Sequence, residues 1–252
     1  MSKNREPLKM FDEFNQDDAV VYNKSYMFIK GFVVGKGNNL PNTLCALALA
    51  RRLHDGQYRK DGVPYIYHPL KVCTTLINFG IDDDITLAAA LLHDVLEDCQ
   101  DKLPLKGREL IAEYHLDPEV LKIVNLLSKD SGLDDYELSV YFENIKQNPK
   151  ALLIKLSDRL HNSSSLYAFT PEKMQKYIKE TEMFLIPMAK YGKAYYPQYM
   201  NAFAMLKNQI YSLNHSMKVI SENYEKHYEE LEQKIKEQEV EILKLEEALN
   251  KN

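Results

Sequence analysis

The stretch Ala88-Ala89-Ala90-Leu91-Leu92-His93-Asp94-Val95-Leu96-Glu97-Asp98 constrains the fold more than any other in this chain. Its first half carries no polar side chain and belongs inside a helical domain. Its second half places one imidazole and three carboxylates directly after that apolar run. Burying such groups is costly unless a metal ion or charged partners satisfy them. In a helix His93 and Glu97 lie one turn apart, as do Asp94 and Asp98, so each pair stacks along the axis. One turn can then present ligands while the next presents carboxylates beside water held there.

The rest of the chain predicts an all-α bundle. Among 252 residues glycine and proline number only 9 and 10, while hydrophobic residues make up 45%. That balance favours helices joined by short turns around a real core. Asn42 or Thr43 can cap a helix that Gly56 ends. A helix follows near 68–79, stopped by Gly80, and another over 85–98, capped within Asp82–Asp84. Further helices are expected near 108–114, 118–128, 134–146, 149–161 and 171–190. Residues 1–40 read as a short lead-in. Ala19–Tyr22 and Tyr26–Val34 are rich in Val, Tyr, Phe and Ile, which suggests a hairpin or an extended segment. Gly31, Gly35 and Lys36 do not form a phosphate loop, because the spacing is one residue short and Gly37 stands where Ser or Thr should follow.

Residues 41–208 thus form the expected main domain, and 209–252 differ in kind. From Ile210 onward, positions 210, 214, 217, 221, 224, 228, 231, 235, 238, 242, 245 and 249 alternate four-and-three spacing. Leu231, Ile235, Ile242, Leu245 and Leu249 fill the later ones, with Tyr224 and Tyr228 before them, and Glu and Lys occupy most other places. This is the pattern of an extended charged helix and a candidate coiled-coil seam for self-association through 210–250, weakened at Asn214, Ser221 and Gln238. The alternative is a solvated terminal helix folding back on the domain.

A formal charge of −5 argues against nucleic acid as a partner bound through a broad basic surface. The three cysteines, Cys45, Cys73 and Cys99, are widely spaced and read as small apolar residues in a reducing compartment. Neither a signal peptide nor a membrane span is legible, so the expectation is a cytoplasmic protein with no membrane partner.

Two more segments carry chemistry: Arg59-Lys60-Asp61-Gly62-Val63-Pro64-Tyr65-Ile66-Tyr67-His68-Pro69, and Lys155-Leu156-Ser157-Asp158-Arg159-Leu160-His161-Asn162. Singly, each admits a bland reading. A His-Asp pair can be a helix cap, His68 can mark a helix start, and Asp158-Arg159 can be an ion pair. Together, imidazole and carboxylate without thiolate suit Mn²⁺, Fe²⁺ or Zn²⁺. His54 is placed near a helix end, where it can pack or hydrogen-bond beneath the site. His161 reads as structural, and Tyr65, Tyr67 and Tyr167 as flanks of a nucleotide.

Taken in order, these segments resemble the HD-domain hydrolases of the RelA/SpoT type, which degrade the alarmone (p)ppGpp. The similarity covers about residues 42–195, including Gly56-Gln57, Arg59-Lys60, Pro64-Tyr65-Ile66, His68-Pro69-Leu70, Ala89 to Asp94, Glu97-Asp98, Lys155-Leu156 and Asp158 to Asn162. The resemblance implies an HD-domain helical bundle in which His68, His93, Asp94 and Asp158 bind one metal, typically Mn²⁺. It implies that Glu97 and Asp98 orient the nucleophilic water and handle its proton. Arg59 and Lys60 match a basic loop that meets the nucleotide and its phosphates, and Asn162 matches a nucleotide contact. The expected reaction converts ppGpp or pppGpp into GDP or GTP and pyrophosphate.

Departures from the family pattern are Asp61, where Ser or Thr is common, and Ser163-Ser164-Ser165, which replaces Met-Arg-Thr and removes a basic residue. About 60 residues follow Tyr191, too few for a synthetase domain of usual size, so the chain resembles the small hydrolase-only members. Two other readings keep the same site. One is a phosphohydrolase acting on another nucleotide, such as removal of the 2′-phosphate of NADPH. The other is a nucleotide-binding scaffold with little turnover.

Overall fold

The computed structural model of the chain describes residues 19–59, 62–103, 114–129, 132–164 and 169–249. Among these residues the architecture is all-α, with one isolated bridge between Tyr58 and Pro64. The helices are α1 (Ala19–Gly35), α2 (Pro41–Leu53), α3 (Tyr67–Asn78), α4 (Asp84–Leu92), α5 (Val95–Asp98) and α6 (Pro118–Leu127). They continue with α7 (Asp135–Lys146), α8 (Pro149–Ser163), α9 (Pro171–Glu180), α10 (Ile186–Tyr195) and α11 (Met200–Leu249). The helix expected near 108–114 lies outside the described residues except for Tyr114.

Local chemistry sets most boundaries. Asp83 caps α4 by accepting from the Thr86 N–H at 2.8 Å. Asp134 and Glu137 form a reciprocal capping box at α7, and Asn148 caps α8 just before Pro149. Gly80, at φ +85°, ends α3 in a Schellman motif in which the Ile81 N–H donates to Leu76 O and the Gly80 N–H to Ile77 O. At α2 neither Asn42 nor Thr43 supplies the cap. Asp84 does so from across the interface, accepting from the Asn42 N–H at 3.0 Å and the Thr43 N–H at 2.8 Å. The carboxylate thereby offsets the positive end of α2 and ties it to α4.

The lead-in is a helix, not a hairpin. Tyr26, Ile29 and Val33 recur at helical spacing and are buried, and α1 packs on α3. Met27, Phe28 and Val34 lie exposed on the opposite side, so apolar residues all round blur the helical period. Tertiary packing then overrides the strand preference of Val, Tyr, Phe and Ile.

α8 is the centre of the bundle, touching α3, α4, α6, α7, α10 and α11. Leu70, Leu76, Leu87, Leu91, Leu152 and Leu153 are fully buried between α3, α4 and α8. The helix expected over 171–190 is longer and carries a π-helical turn, Thr181–Leu185, just before Pro187. Proline has no N–H for the ladder, and the widened turn accommodates the missing bond. α11 runs unbroken through position 208. Its early positions Phe203, Leu206, Ile210, Asn214 and Ser221 are buried against the domain, whereas Tyr224, Tyr228, Leu231, Ile235 and Ile242 are 43–70% exposed.

α10 and α11 approach closely where Gly192 meets Phe203. A Cβ at Gly192 would lie 2.7 Å from the buried Phe203 ring. Alanine at this position gains up to about 1 kcal/mol of helix propensity but overpacks a rigid interface at about 1–3 kcal/mol. Gly192→Ala should therefore lower the melting temperature in a thermal unfolding scan. An equal or higher value would show that this contact has slack.

Candidate metal centre and active site

Four side chains from three segments converge beside α8. His68 comes from the first turn of α3 and Asp158 from the middle of α8. His93 and Asp94 occupy the turn between α4 and α5, so the expected helix over 85–98 is interrupted there. The His68 Nε2 atom lies 3.1 Å from Asp158 Oδ1, 3.3 Å from Asp94 Oδ2 and 3.2 Å from His93 Nε2. His93 Nε2 lies 3.1 Å from Asp94 Oδ1 and 3.8 Å from Asp158 Oδ1.

Ligand atoms about 2.1 Å from a single ion stand roughly 3.0–3.4 Å from one another, close to these separations. His68, His93 and Asp94 alone satisfy the geometry of a metal-holding group, and Asp158 closes the set. The donor set of two imidazoles and two carboxylates suits a borderline or hard divalent ion.

Hydrogen bonds around the cluster orient both rings. His93 Nδ1 lies 2.9 Å from Ala90 O, which fixes a proton on that nitrogen and turns the Nε2 lone pair inward. His68 Nδ1 lies 2.7 Å from His161 Nδ1. Burial, with the nearby His68 and Arg59, pushes the His161 pKa down to about 3, so that ring stays neutral and accepts. His68 then donates from Nδ1 and presents Nε2 to the cluster. His161 thus has a specific contact beyond the structural role expected from sequence.

Tyr65, expected beside a nucleotide, donates its hydroxyl to Asp94 Oδ2 at 2.8 Å. His54 stacks beneath Tyr65 at 4.8 Å between centroids, so its link to the site runs through that ring.

Without a cation the cluster balances its charge with protons. Burial alone would lower the His93 pKa, but Asp94 and Asp158 push it up to about 9. Burial favours protonated carboxyls, yet His93 and His68 hold Asp94 well below the usual carboxylate range, and Lys155, His68 and His93 do the same for Asp158. A divalent ion would displace the His93 proton and take its place between the acids.

Around this centre, Glu97 accepts from the Lys129 N–H at 2.6 Å, and burial followed by Asp94 and Asp98 raises its pKa despite that bond. Asp98 is exposed one residue on, its carbonyl accepting from Gln57 Nε2 at 2.7 Å. Arg59 Nη2 donates to Asn162 Oδ1 at 3.1 Å, and Asn162 Nδ2 donates to Asp158 Oδ1 at 2.5 Å. Asn162 therefore bridges the basic loop to the cluster. Lys60 lies outside the described residues. The turn presenting Arg59 closes through the Gly62 N–H to Arg59 O, with Gly62 at φ +81°.

Sequence reasoning quoted the Lys155 segment but assigned no role to Lys129, Lys155 or Tyr141, which stand beside Glu97 and Asp158. Lys155 lies three residues before Asp158 on the same helical face.

A bundle with a buried His-Asp pair and converging imidazoles and carboxylates defines a class, and the comparisons agree. The chain matches the HD domain family over residues 46–190 and belongs to that family. It is 37% identical over 147 residues to a guanosine-3′,5′-bis(diphosphate) 3′-pyrophosphohydrolase of Aquifex aeolicus, covering 57% of this chain and 20% of that one. It is 32% identical over 153 residues to the enzyme of the same name from Borreliella burgdorferi, covering 58% and 22%. The bifunctional (p)ppGpp synthase/hydrolase SpoT of Escherichia coli is 36% identical over 155 residues, with 57% and 21% covered. The chain thus spans about a fifth of the length of these curated relatives. A solved metazoan ortholog of SpoT, described as hydrolyzing ppGpp, shares the fold at a TM-score of 0.55 and 24% identity, covering 69% of this chain and 94% of that one.

The His68–His161 contact makes a direct prediction. His161→Leu removes the acceptor that fixes the His68 tautomer, and divalent-metal affinity should fall about 10–100-fold. Calorimetric titration of metal into the stripped protein measures it. Unchanged affinity would return His161 to a packing role.

Proposed function

We propose that this chain is a metal-dependent hydrolase of guanosine 3′,5′-bis(diphosphate) and its 5′-triphosphate analogue, releasing pyrophosphate from the 3′ position. The observation that carries this reading is the convergence of His68, His93, Asp94 and Asp158 beside Glu97, in a chain homologous to enzymes named for that reaction. Mn²⁺ is the ion proposed for the four ligands, on the strength of the mixed nitrogen and oxygen donors. When bound, such an ion supplies a Lewis acid that polarises a phosphoryl oxygen and acidifies water.

The chain's own residues do the rest. Glu97, with its raised proton affinity, accepts the proton as water attacks the inner 3′ phosphorus. A phosphorus–oxygen bond to that water forms, the bond to the ribose 3′ oxygen breaks, and the 3′ oxygen gains a proton to leave GDP or GTP. Asp98 lies on the same rim and orients the water with Glu97. Arg59 and Lys60 offset phosphate charge, and Asn162 holds Arg59 against Asp158 while contacting the nucleotide. The guanine nucleotide is the partner in this scheme, and such a substrate places the reaction in the cytoplasm. No helix among the described residues is long and apolar enough to cross a membrane.

Residues 210–250 are proposed to join copies of the chain. The seam that is buried at Ile210, Asn214 and Ser221, two of them polar, continues, exposed and apolar, through Tyr224, Tyr228, Leu231, Ile235 and Ile242. Such a continuation fits a second helix of the same pattern. A chain ending at Glu222 should keep its hydrolase activity and fall by light scattering from a multiple of the full chain's mass to that of a single truncated chain. The same number of chains per particle before and after truncation would return the helix to a solvated role.

The activity test uses metal-stripped protein and ppGpp with and without Mn²⁺, with products separated by ion exchange. Mn²⁺ should restore release of GDP and pyrophosphate. Glu97→Gln should cut kcat by roughly 10²–10⁴-fold while retaining metal. Survival of ppGpp with metal bound would sink the substrate assignment. Release of orthophosphate from NADPH would then favour the other phosphohydrolase reading.

A further inference from the structure

Orienting water requires Asp98 to keep a fixed place beside Asp94, yet Asp98 closes α5, a helix of only four residues. A single turn has little rigidity of its own. The support comes from the end of α2, where three groups grip the segment that carries Asp98. Gln57 Nε2 donates to the Asp98 carbonyl at 2.7 Å, the Cys99 thiol lies 3.5 Å from Leu53 O, and Lys102 Nζ bonds Asp55 O.

Gln57 uses its amide in both senses. While Nε2 donates to Asp98, Oε1 lies 2.8 Å from His54 Nδ1 and can only accept. That places the ring proton on His54 Nδ1. Burial lowers the His54 pKa, so the ring is neutral and carries one proton. Its Nε2 is buried with no hydrogen-bond partner among the described residues. A buried polar atom left unpaired is costly, and an apolar ring would fill the same space without that cost. The imidazole is therefore accounted for by its other nitrogen, which turns the Gln57 amide so that nitrogen and not oxygen meets Asp98.

The same two residues reach the metal ligands from the other side. His54 stacks on the Tyr65 ring at 4.8 Å, and the Tyr65 N–H donates to Gln57 O at 2.8 Å. The Tyr65 hydroxyl donates to Asp94 Oδ2 and also faces Asp98, and burial with both charges raises its pKa, so the phenol keeps its proton. Gln57 thus holds Asp98 with its side chain and Tyr65 with its backbone. We propose that His54 and Gln57 are positioning residues for the hydrolytic reaction, holding Asp98 in register with Asp94 through the Gln57 amide and the Tyr65 ring. The inference rests on the hydrolase reading above and gives a role to two residues that none of its steps uses. Both act through Asp98 and leave metal and nucleotide binding to other side chains.

The test separates turnover from binding. Gln57→Met keeps the length of the side chain and removes both amide bonds. It should lower kcat for ppGpp roughly tenfold, the scale of one hydrogen bond, with KM and Mn²⁺ affinity within about twofold of the unaltered protein. His54→Phe keeps a ring over Tyr65 without the donor and should lose a similar factor. His54→Asn keeps a donor near the Nδ1 position without the ring and should retain most of kcat. A second readout does not depend on turnover. Cys99 is fully buried, its thiol 3.5 Å from His54 Nδ1 and 3.8 Å from Gln57 Oε1. Gln57→Met should therefore speed maleimide labelling of Cys99, read by peptide mass spectrometry. An unchanged kcat in Gln57→Met, unchanged labelling, or a loss that follows the ring and not the donor would each overturn the positioning role while the hydrolase reading stands. If the unaltered protein leaves ppGpp intact, the hydrolase reading falls and takes this role with it, whatever the labelling shows.

Discussion

Two imidazoles and two carboxylates facing one another across 3.1–3.8 Å inside a helical bundle are the constraint on which the rest of this structure depends. Ionised groups taken out of water must be paired with opposite charge and hydrogen-bonded, or the fold loses stability. Here the pairing is closed from behind by neutral groups and by Lys155, which lies 3.2 Å from Asp158 Oδ2. Ala90 O and His161 fix the two rings, Tyr65 binds Asp94, and Asn162 binds Asp158. These contacts aim the ring nitrogens and carboxylate oxygens at one another, where a divalent ion would take the place of the His93 proton.

The scaffold is arranged to hold those groups still. α8 touches most other helices of the bundle and presents Asp158 from its rigid middle. α3 is stopped firmly at Gly80 and rests on α1 and α8, which fixes His68. His93 and Asp94 are the two residues between α4 and α5, both in right-handed helical backbone at φ −60°, ψ −29° and φ −98°, ψ −6°, and His93 Nε2 meets Asp94 Oδ1 at 3.1 Å.

Charge around the centre is asymmetric, and the asymmetry bears on chemistry. The carboxylates Glu97 and Asp98 line one rim, Arg59 stands on a second, and Lys129 and Lys155 on a third. In the reaction proposed above, cations offset the charge of a phosphorylated ligand while a carboxylate accepts a proton. The terminal helix adds a separate property, since its seam passes from buried to exposed with no change of spacing.

The sequence by itself determined the helical class, a cap within Asp82–Asp84, the stop at Gly80, and the residues able to form the cluster. These are local matters, set by spacing, by turn chemistry and by the cost of placing polar groups after an apolar run. Contacts between distant segments were not legible. The cap on α2 comes from Asp84, and the tautomer of His68 is set 93 positions away by His161. The helical state of 19–35 was hidden because apolar side chains surround α1, and only packing on α3 selects the face that is buried. The pairing of Lys129 with Lys155 around Tyr141 likewise arises when α6, α7 and α8 come together. Spacing fixes what one segment can present, but only the tertiary structure decides which groups from different segments share one space.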